Sequence, residues 1–340
     1  MHSYQVAGVV LTVEVSVAVA VAAFVTYYIL NAMPVKKILP FQSNGAKFLN
    51  KKRQKVTLIE KEDVTWDVRR FRFALPKATP VLGLPLGKAI KVFLPNIAVG
   101  SEEWNPRPES ARGPAVPRDA GSGEGDIDKG TGAWKPEIVR KYTPCSLDCE
   151  EKYFDLILKV YFSGKNERFP NGGKGSQYMD SLEVGDSLEL QGPFGHIEYF
   201  GRQMWKKYGK RSKLGMIAGG TGLTPMLQII KAVLSDPKDT TEMSLLFANQ
   251  TEGDILVRDM LEAWQKDHPK QFKVWYTLDR PPADWAYSAG FISEQMVSNH
   301  LPKPSDETLI LMCGPPPMIK FACRPNLEKI GHSPGAMAAF

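Results

Sequence analysis

Apolar and polar residues alternate over six short stretches between residues 56 and 200, and this period of two predicts β-strands. Each stretch ends at Pro, Gly or charged residues, and the six read VTLIEKEDV, VRRFRFALP, KAIKVFLP, EIVRKYTPCS, YFDLILKVYF and DSLELQGPFG. Short strands at regular spacing are typical of a small antiparallel barrel. We therefore predict an antiparallel β-barrel domain over residues 56–200.

The periodicity changes after a linker expected at residues 201–212. Apolar runs (LGMIAGG, MSLLFAN, FKVWYTL, TLILMCG) then alternate with stretches whose apolar residues have helical spacing, such as TPMLQIIKAVL. Strands that alternate with helices form βαβ units with a parallel sheet and helices on both faces. The pattern predicts an α/β domain over residues 213–340.

Residues 96–136 interrupt the first domain, because they are rich in Gly, Pro, Ser and charge and poor in aliphatic side chains. Such a segment cannot bury enough apolar surface to offset the entropy lost on ordering. We expect a flexible insertion in a loop between two strands.

The N-terminus is nearly all apolar from Val6 to Met33, apart from Glu14 and a few small polar residues. About 20 apolar residues span a bilayer as a helix, so the sequence predicts a transmembrane anchor over residues 1–34. A cleaved signal peptide is the alternative, since Ala18–Ala23 supplies small residues.

The flanking charges favour the anchor over the signal peptide, because no basic segment precedes the apolar run. The lysines lie after it, in a basic linker expected at residues 35–55. The positive-inside rule then places the remaining chain in the cytosol. We expect a protein of the endoplasmic reticulum or the mitochondrial outer membrane.

Composition adds little to this picture. The 340 residues are 43% hydrophobic and 24% charged, which suits an ordinary globular chain of two domains, and the net charge of +6 is mild. The four cysteines are too sparse for a disulfide framework and suit a reducing compartment. Cys145 and Cys149 have no matching Cys/His pair at zinc-ligand spacing, so we predict no metal site.

Two loops of the α/β domain suggest a nucleotide. Gly219, Gly220, Thr221 and Gly222 lie between an apolar strand and an amphipathic helix, where glycines let a pyrophosphate approach backbone N–H groups. Taken alone this turn is a weak signal, because many such turns need glycine without any ligand. The sequence CGPPPM, from Cys313, also follows a strand and opens a helix, and two such loops flank the nucleotide crevice of an open α/β sheet.

The barrel contains two further segments of interest. In RKYTPCS, Arg140 offers a planar fork to a phosphate, and Tyr142 offers an aromatic face to a flavin. Downstream, the glycine-rich sequence at residues 172–176 precedes a short helix and forms a second anion cradle, with Lys174 and the Ser176 hydroxyl. An edge strand with an exposed arginine and a turn-forming proline explains RKYTP equally well by itself.

Together these segments resemble the NADH–cytochrome b5 reductases, a family of the ferredoxin–NADP reductase type, over residues 56–332. RxYTxxS, GGKGSQYM, GGTGLTPMLQ, LLFANQTEGDIL, WYTLDRPP and CGPPPM follow one another as in that family. The resemblance implies FAD on the barrel and NADH on the α/β domain. It also implies transfer of a hydride from NADH to FAD, followed by single electrons to a haem protein, cytochrome b5 or one similar to it.

The resemblance also implies site residues. Arg140 would hold the FAD pyrophosphate, Tyr142 and Thr143 would line the isoalloxazine, and Asp279 would contact the adenine ribose. The expected cofactor-binding set is Arg140, Tyr142, Thr143, Ile157, Lys159, Tyr161, Gly173, Lys174, Gly175, Ser176, Gly219, Gly220, Thr221, Gly222, Thr224, Pro225, Asp279, Gly314, Pro315 and Met318. Thr143 and Cys313 are the expected catalytic residues, although Cys313 also fits a small buried residue at a strand end.

Three features depart from the family pattern. Ala89 stands where a histidine is usual, Gly175 stands in the cradle where methionine is commoner, and the 96–136 insertion is longer than normal. The alternatives are a non-catalytic flavin-fold binding protein, a reductase for another electron-transfer partner, and the reductase portion of a larger enzyme such as a nitrate reductase. We expect a monomer without a nucleic-acid partner.

Overall fold

The computed structural model describes residues 39, 41–96, 135–165 and 170–340. The predicted anchor at residues 1–34 and most of the predicted insertion therefore lie outside the described residues. Within the described ranges, none of the helices has both the length and the apolar composition needed to cross a bilayer. The described residues from 41 onward belong to one compact unit.

The first domain contains a six-stranded antiparallel sheet with the order β4-β3-β6-β1-β2-β5. Its strands are β1 (Gln54–Thr65), β2 (Val68–Ala74), β3 (Ala89–Pro95), β4 (Glu137–Tyr142), β5 (Tyr153–Lys159) and β6 (Ser187–Phe194). Because side chains alternate along a strand, one face of every strand contributes to a single apolar core that includes Phe71, Phe73 and Phe154. The antiparallel domain predicted from the sequence is confirmed.

The β4 and β5 edges are not paired with each other in the described part of the chain. Helix α1 (Lys174–Ser181) connects these two edges. A Cβ on Gly175 would lie 3.1 Å from Leu94 of β3 and 3.3 Å from Arg140 of β4. On the other side, the Ser176 hydroxyl accepts a hydrogen bond from the backbone N–H of Tyr161, 3.1 Å away, just after β5. The N-terminus of α1 is thereby held at the open side of the sheet.

Residues 41–55 differ from the polar linker expected there. Phe41, Phe48 and Leu49 are buried, and the N–H of Phe48 donates to the carbonyl of Val81 at 2.7 Å. The lysines of this segment remain exposed, while Phe48 and Leu49 pack into the apolar core of the first domain. These apolar residues are isolated and have no period, so the sequence, which is dominated here by lysines, does not predict their burial.

A small three-stranded sheet occupies the position expected for the second linker. It consists of β7 (Tyr199–Gly201), β8 (Met204–Trp205) and β9 (Gly209–Lys210). The Tyr199 and Trp205 rings pack with their centroids 4.5 Å apart. The Tyr199 hydroxyl donates to the buried Asp239 carboxylate at 2.5 Å, and the N–H of Arg202 donates to the same oxygen at 2.7 Å. These bonds connect the small sheet to the second domain.

The second domain is a six-stranded parallel sheet with the order β13-β12-β11-β10-β14-β15. Its strands are β10 (Lys213–Gly219), β11 (Glu242–Asn249), β12 (Phe272–Leu278), β13 (Ser288–Ala289), β14 (Thr308–Cys313) and β15 (Met337–Ala339). Its helices are α2 (Leu223–Ser235), α3 (Arg258–Asp267), α4 (Glu294–His300), α5 (Pro316–Met318), a π-helical segment (Ile319–Cys323) and α6 (Arg324–Lys329). The predicted α/β domain is confirmed, while β13 and β15 are too short to show a period.

We predict that Tyr199→Phe lowers the free energy of unfolding by about 1.5–3 kcal/mol, because it removes a hydrogen bond to a buried carboxylate. Urea unfolding followed by fluorescence measures the change. Tyr208→Phe is the matched control, since the Tyr208 hydroxyl forms no hydrogen bond with the described residues, and its effect should stay within about 0.5 kcal/mol. Equal destabilisation by the two variants would contradict the assignment.

Candidate functional site

The nucleotide crevice lies where the strand order of the parallel sheet reverses. From β10 the chain moves outward to β11 and β12, and it later returns to place β14 on the other side of β10. Open α/β sheets bind ligands outside the carboxyl ends of the strands at such a switch point. The Gly220–Gly222 turn follows β10, and the CGPPPM loop follows β14, so both predicted loops lie at this point.

These two loops pack so closely that a side chain on Gly219, Gly222 or Gly314 would collide with neighbouring atoms. A Cβ on Gly222 would lie 2.2 Å from the carbonyl oxygen of Cys313. One on Gly219 would lie 2.8 Å from the Met318 sulfur, and one on Gly314 would lie 2.5 Å from the Met318 methyl carbon. Real Cβ atoms do not make contacts of this length. Glycine is therefore required at Gly222, where the obstacle is backbone, whereas a side chain at Gly219 or Gly314 would require the flexible Met318 side chain to move.

The N-terminus of α2 is open toward the crevice. Gly220 has a φ of +51°, and no atom lies within 4 Å of the position that its Cβ would take. No side chain caps α2 at Gly222, although the N–H of its first residue, Leu223, donates to the carbonyls of Gly220 and Thr221. The Thr224 hydroxyl donates to the Thr221 carbonyl at 3.2 Å, and Pro225 is buried beside it.

A second anion cradle lies at the N-terminus of α1. Gly173 precedes the helix, and no side-chain hydrogen bond caps the N–H groups of its first turn. The Arg140 side chain passes beside Gly175 and is exposed. Its guanidinium donates to the carbonyl of Val139 at 3.1 Å, and no carboxylate among the described residues pairs with it. Arg140 and these N–H groups fit a pyrophosphate.

The other polar residues of this cradle already have protein partners. The Lys174 ammonium donates to the Asn96 side chain at 3.1 Å. The Ser176 hydroxyl donates to the Gly173 carbonyl at 3.0 Å, so it also closes the first turn of α1. Their predicted contacts with a phosphate remain predictions.

Three predicted flavin contacts lie next to one another at the end of β4 and after β5. Tyr142 is half-buried, Thr143 is buried, and half of the Tyr161 side chain is exposed. Burial raises the pKa of Tyr142 to about 12, although the positive charge of Arg140 acts to lower it. The Tyr142 phenol is therefore neutral at physiological pH. The ring of Tyr161 lies against Gly173, where a Cβ would be 3.2 Å from the Tyr161 Cβ. This arrangement suits an aromatic ligand laid across the strand ends.

Lys159 connects the two domains. It lies on the outward face of β5 with Ile157, and its ammonium lies 2.6 Å from Asp67 of the first domain and 2.8 Å from Asp254 of the second. Burial lowers the pKa of Lys159, but hydrogen bonds to Asp254 and Asp67 outweigh it, so the net shift is upward. Sequence reasoning missed Asp254. Its position three residues after Thr251 is the signal of a capping box, and both hydrogen bonds of that capping box are present.

Cys313 ends β14 and is mostly buried. Burial raises the pKa of its thiol to about 11, so the thiol remains protonated at neutral pH. A protonated thiol is a poor nucleophile. The position fits both a contact at the crevice and a small apolar residue at a strand end, so its catalytic assignment remains a prediction.

Asp279 directly follows β12, and its N–H donates to the carbonyl of Asn249 at 3.0 Å. Its carboxylate is exposed, and it forms no ion pair within the described residues. Burial and nearby Asp254 raise the pKa of Asp279, and Arg280 opposes them. The Arg280 guanidinium instead donates to Gln250 at 3.1 Å. An unpaired carboxylate at a strand end is suited to accept hydrogen bonds from ribose hydroxyls.

Comparison with known families identifies both domains. Residues 55–106 and 131–199 match the family described as the oxidoreductase FAD-binding domain, and residues 216–324 match the oxidoreductase NAD-binding domain. The chain is therefore a two-domain flavoprotein oxidoreductase whose cofactors are FAD and NADH. It is 46% identical over 294 residues to NADH-cytochrome b5 reductase 1 of Bos taurus, covering 84% of each chain. The chain belongs to the NADH–cytochrome b5 reductase family.

Two further relatives are a domain of one nitrate reductase and a second, complete nitrate reductase. The crystal structure of the cytochrome b5 reductase domain of Ulva prolifera nitrate reductase has a TM-score of 0.73 and 39% identity, covering 87% of this chain and all of that domain. Nitrate reductase [NADH] 1 of Nicotiana tabacum is 43% identical over 303 residues, which is 88% of this chain but 29% of that protein. The same two-domain unit therefore occurs both alone and within larger enzymes.

Proposed function

We propose that this chain passes electrons from NADH, through FAD, one at a time to a haem protein, and that this acceptor is cytochrome b5 or a similar protein. The observation that carries the proposal is the contact between the two sites. Strand β5, which leads into the flavin cradle, lies against the Gly220–Gly222 turn of the nucleotide crevice. Two cofactors bound at these sites would meet without any movement of the chain.

In this proposal the first domain holds FAD. Arg140 and the N-terminus of α1 bind its pyrophosphate, because no described carboxylate pairs with the Arg140 guanidinium and no side-chain hydrogen bond caps the helix at Gly173. Tyr142, Thr143 and Tyr161 line its ring system, and Ile157 shields the side that faces the second domain. Lys159 orients the same region through its pairing with Asp254.

The second domain holds NADH. The N–H groups at the start of α2 receive its pyrophosphate, Thr224 and the CGPPPM loop adjoin its nicotinamide, and Asp279 accepts from its adenine ribose. FAD, when bound, takes up a hydride and releases its two electrons singly. The chain positions the cofactors and excludes water, and the Cys313 thiol at the end of β14 remains uncharged.

The proposal keeps the domain boundaries inferred from the sequence. Residues 1–34 are proposed as a membrane anchor, with 35–55 as the segment that follows it and both catalytic domains facing the cytosol, as a monomer. Residues 96–136 are proposed as an insertion. The match to the FAD-binding family omits residues 107–130, which supports an insertion over those residues, whereas the ends of the proposed segment belong to the fold, since the N–H of Asn96 donates to the carbonyl of Pro136 at 2.9 Å.

The function is tested by mixing NADH with the purified full-length protein and measuring reduction of purified cytochrome b5 from its haem absorbance. We expect rapid reduction of the haem that requires both NADH and the flavoprotein. Ferricyanide, a small acceptor that needs no docking surface, is the control. Reduction of ferricyanide without reduction of cytochrome b5 would show that the acceptor is a different protein.

We predict that Arg140→Ala weakens FAD binding by about 1.5–3 kcal/mol, because a charge-assisted bond to the pyrophosphate is lost. Flavin released on dilution is measured by fluorescence. Lys141→Ala is the matched control, because Lys141 is the adjacent exposed cation on the opposite face of β4. An Arg140→Ala protein that retains its flavin as fully as the control would remove Arg140 from the site.

We also predict that the wild type prefers NADH over NADPH by at least about tenfold in kcat/KM, roughly 1.4 kcal/mol. The 2′-phosphate of NADPH would lie against the Asp279 carboxylate, which forms no ion pair within the described residues. Asp279→Ser should raise activity with NADPH and lower activity with NADH modestly. Steady-state kinetics with both nucleotides measures this, and Asp284→Ser, at an exposed carboxylate of the same loop, is the control. An unchanged ratio in Asp279→Ser would contradict the assignment.

A further inference from the structure

One buried amide joins the two domains through both of its polar atoms. Gln228 of α2 is 1% exposed. Its Oε1 accepts a hydrogen bond from the N–H of Gly87 at 2.8 Å, and its Nε2 donates to the carbonyl of Pro144 at 3.3 Å. Gly87 precedes β3 and Pro144 follows β4, so a helix of the second domain is bonded to two loops of the first.

Both ends of this connection adjoin the reaction site. Gln228 lies four residues after Thr224 on α2, which is about one helical turn and the same face of the helix. Pro144 directly follows Thr143 of the flavin motif. The path from the nucleotide side to the flavin side therefore consists of one helical turn, one amide and one peptide unit.

The chemistry of the amide matches its two partners. Gly87 presents a donor and Pro144 presents an acceptor, so the residue between them must both accept and donate. A carboxylate could accept from Gly87 but could not donate to Pro144, and a thioether could do neither well. Leaving either buried backbone group without a partner is costly, so the amide has one orientation and one position.

The two interdomain ion pairs are less restrictive. Lys231 of α2 pairs with Glu150 at 2.5 Å, but both side chains are partly exposed, at 36% and 26%. Lys159 pairs with Asp254 through a flexible side chain that is 20% exposed. Ion pairs of long side chains tolerate movement, whereas a buried amide bonded at both ends does not.

We propose that Gln228 is a positioning residue, which sets the distance and angle between the nicotinamide of NADH and the flavin through its bonds to Gly87 and Pro144. The inference rests on the proposed binding of both cofactors at the sites described above. Hydride transfer depends steeply on the separation of donor and acceptor, and a displacement of about 1 Å can cost on the order of a hundredfold in rate. Gln228 touches neither cofactor in this proposal and acts through α2 and the flavin motif.

The test uses the full-length holoenzyme with Gln228→Met, which preserves the length of the side chain and removes both hydrogen bonds. Flavin reduction is followed by stopped-flow absorbance at saturating NADH and at saturating NADH deuterated at the transferred position. We expect the rate of reduction to fall about tenfold and the deuterium isotope effect to increase, because the transfer distance is no longer fixed. The affinity for NAD⁺, measured by titration, should change less than about twofold, because Gln228 holds neither cofactor.

A spectroscopic readout separates positioning from stability. NAD⁺ added to the reduced enzyme should give a long-wavelength absorbance when nicotinamide and flavin stack, and Gln228→Met should weaken or shift that band. Gln271→Met is the matched control, because the Gln271 amide donates to the Asp239 carbonyl at 2.6 Å within the second domain alone. The control should lower the melting temperature and leave the band and the isotope effect unchanged.

A Gln228→Met protein could have a lower melting temperature and yet keep the wild-type isotope effect and absorbance band. That result would show a purely structural role and would overturn the proposal. If Gln228→Met does not retain flavin, Gln228→Glu provides the same measurements, since it keeps the bond from Gly87. Unchanged values in that variant would equally overturn the proposal. Failure of NADH to reduce the wild-type flavin would refute the proposed function instead, whatever the variants do.

Discussion

The close approach of two backbone segments at the switch point of the parallel sheet is the constraint on which the site depends. Gly222 must lack a side chain, because a Cβ there would lie 2.2 Å from the carbonyl oxygen of Cys313. This contact brings the loops after β10 and β14 together and leaves the start of α2 open at one edge of the sheet. Because β5 of the first domain lies against the same turn, this turn is also one of the places where the two domains meet.

The sequence predicts the elements that have a period and are long enough to show it. All six strands of the first domain and the four long strands of the second are visible as alternating or continuous apolar runs. The strands β13 and β15 contain two and three residues, and neither period can be recognised over such lengths. Phe41, Phe48 and Leu49 were missed for a related reason, since isolated apolar residues among lysines pack by tertiary contact alone.

The features of the candidate site likewise fall into those that the sequence predicts and those that it does not. The glycine-rich turns and the strand that contains Arg140 are local patterns, so the sequence predicts them and the order in which they follow one another along the chain. Bonds between distant residues leave no local pattern: Gln228 meets Gly87 across 141 positions, and Lys159 meets Asp254 across 95. A glutamine inside the apolar TPMLQIIKAVL helix was the only available sign, because a buried amide requires partners that the helix itself does not supply.

The two kinds of interdomain bond should respond differently to pH. The pKa of Lys159 is raised in the folded protein, so its contribution is complete below the pKa of a free lysine and is lost as the pH rises through the folded value. The pKa of Asp254 is lowered, because hydrogen bonds to Lys159 and Thr251 outweigh burial, so its contribution is lost as the pH falls through the folded value. The ion pair therefore acts only between these limits, whereas the neutral Gln228 amide does not titrate. Both bonds adjoin the flavin motif, so only the part of its geometry that the Gln228 amide holds is insensitive to pH.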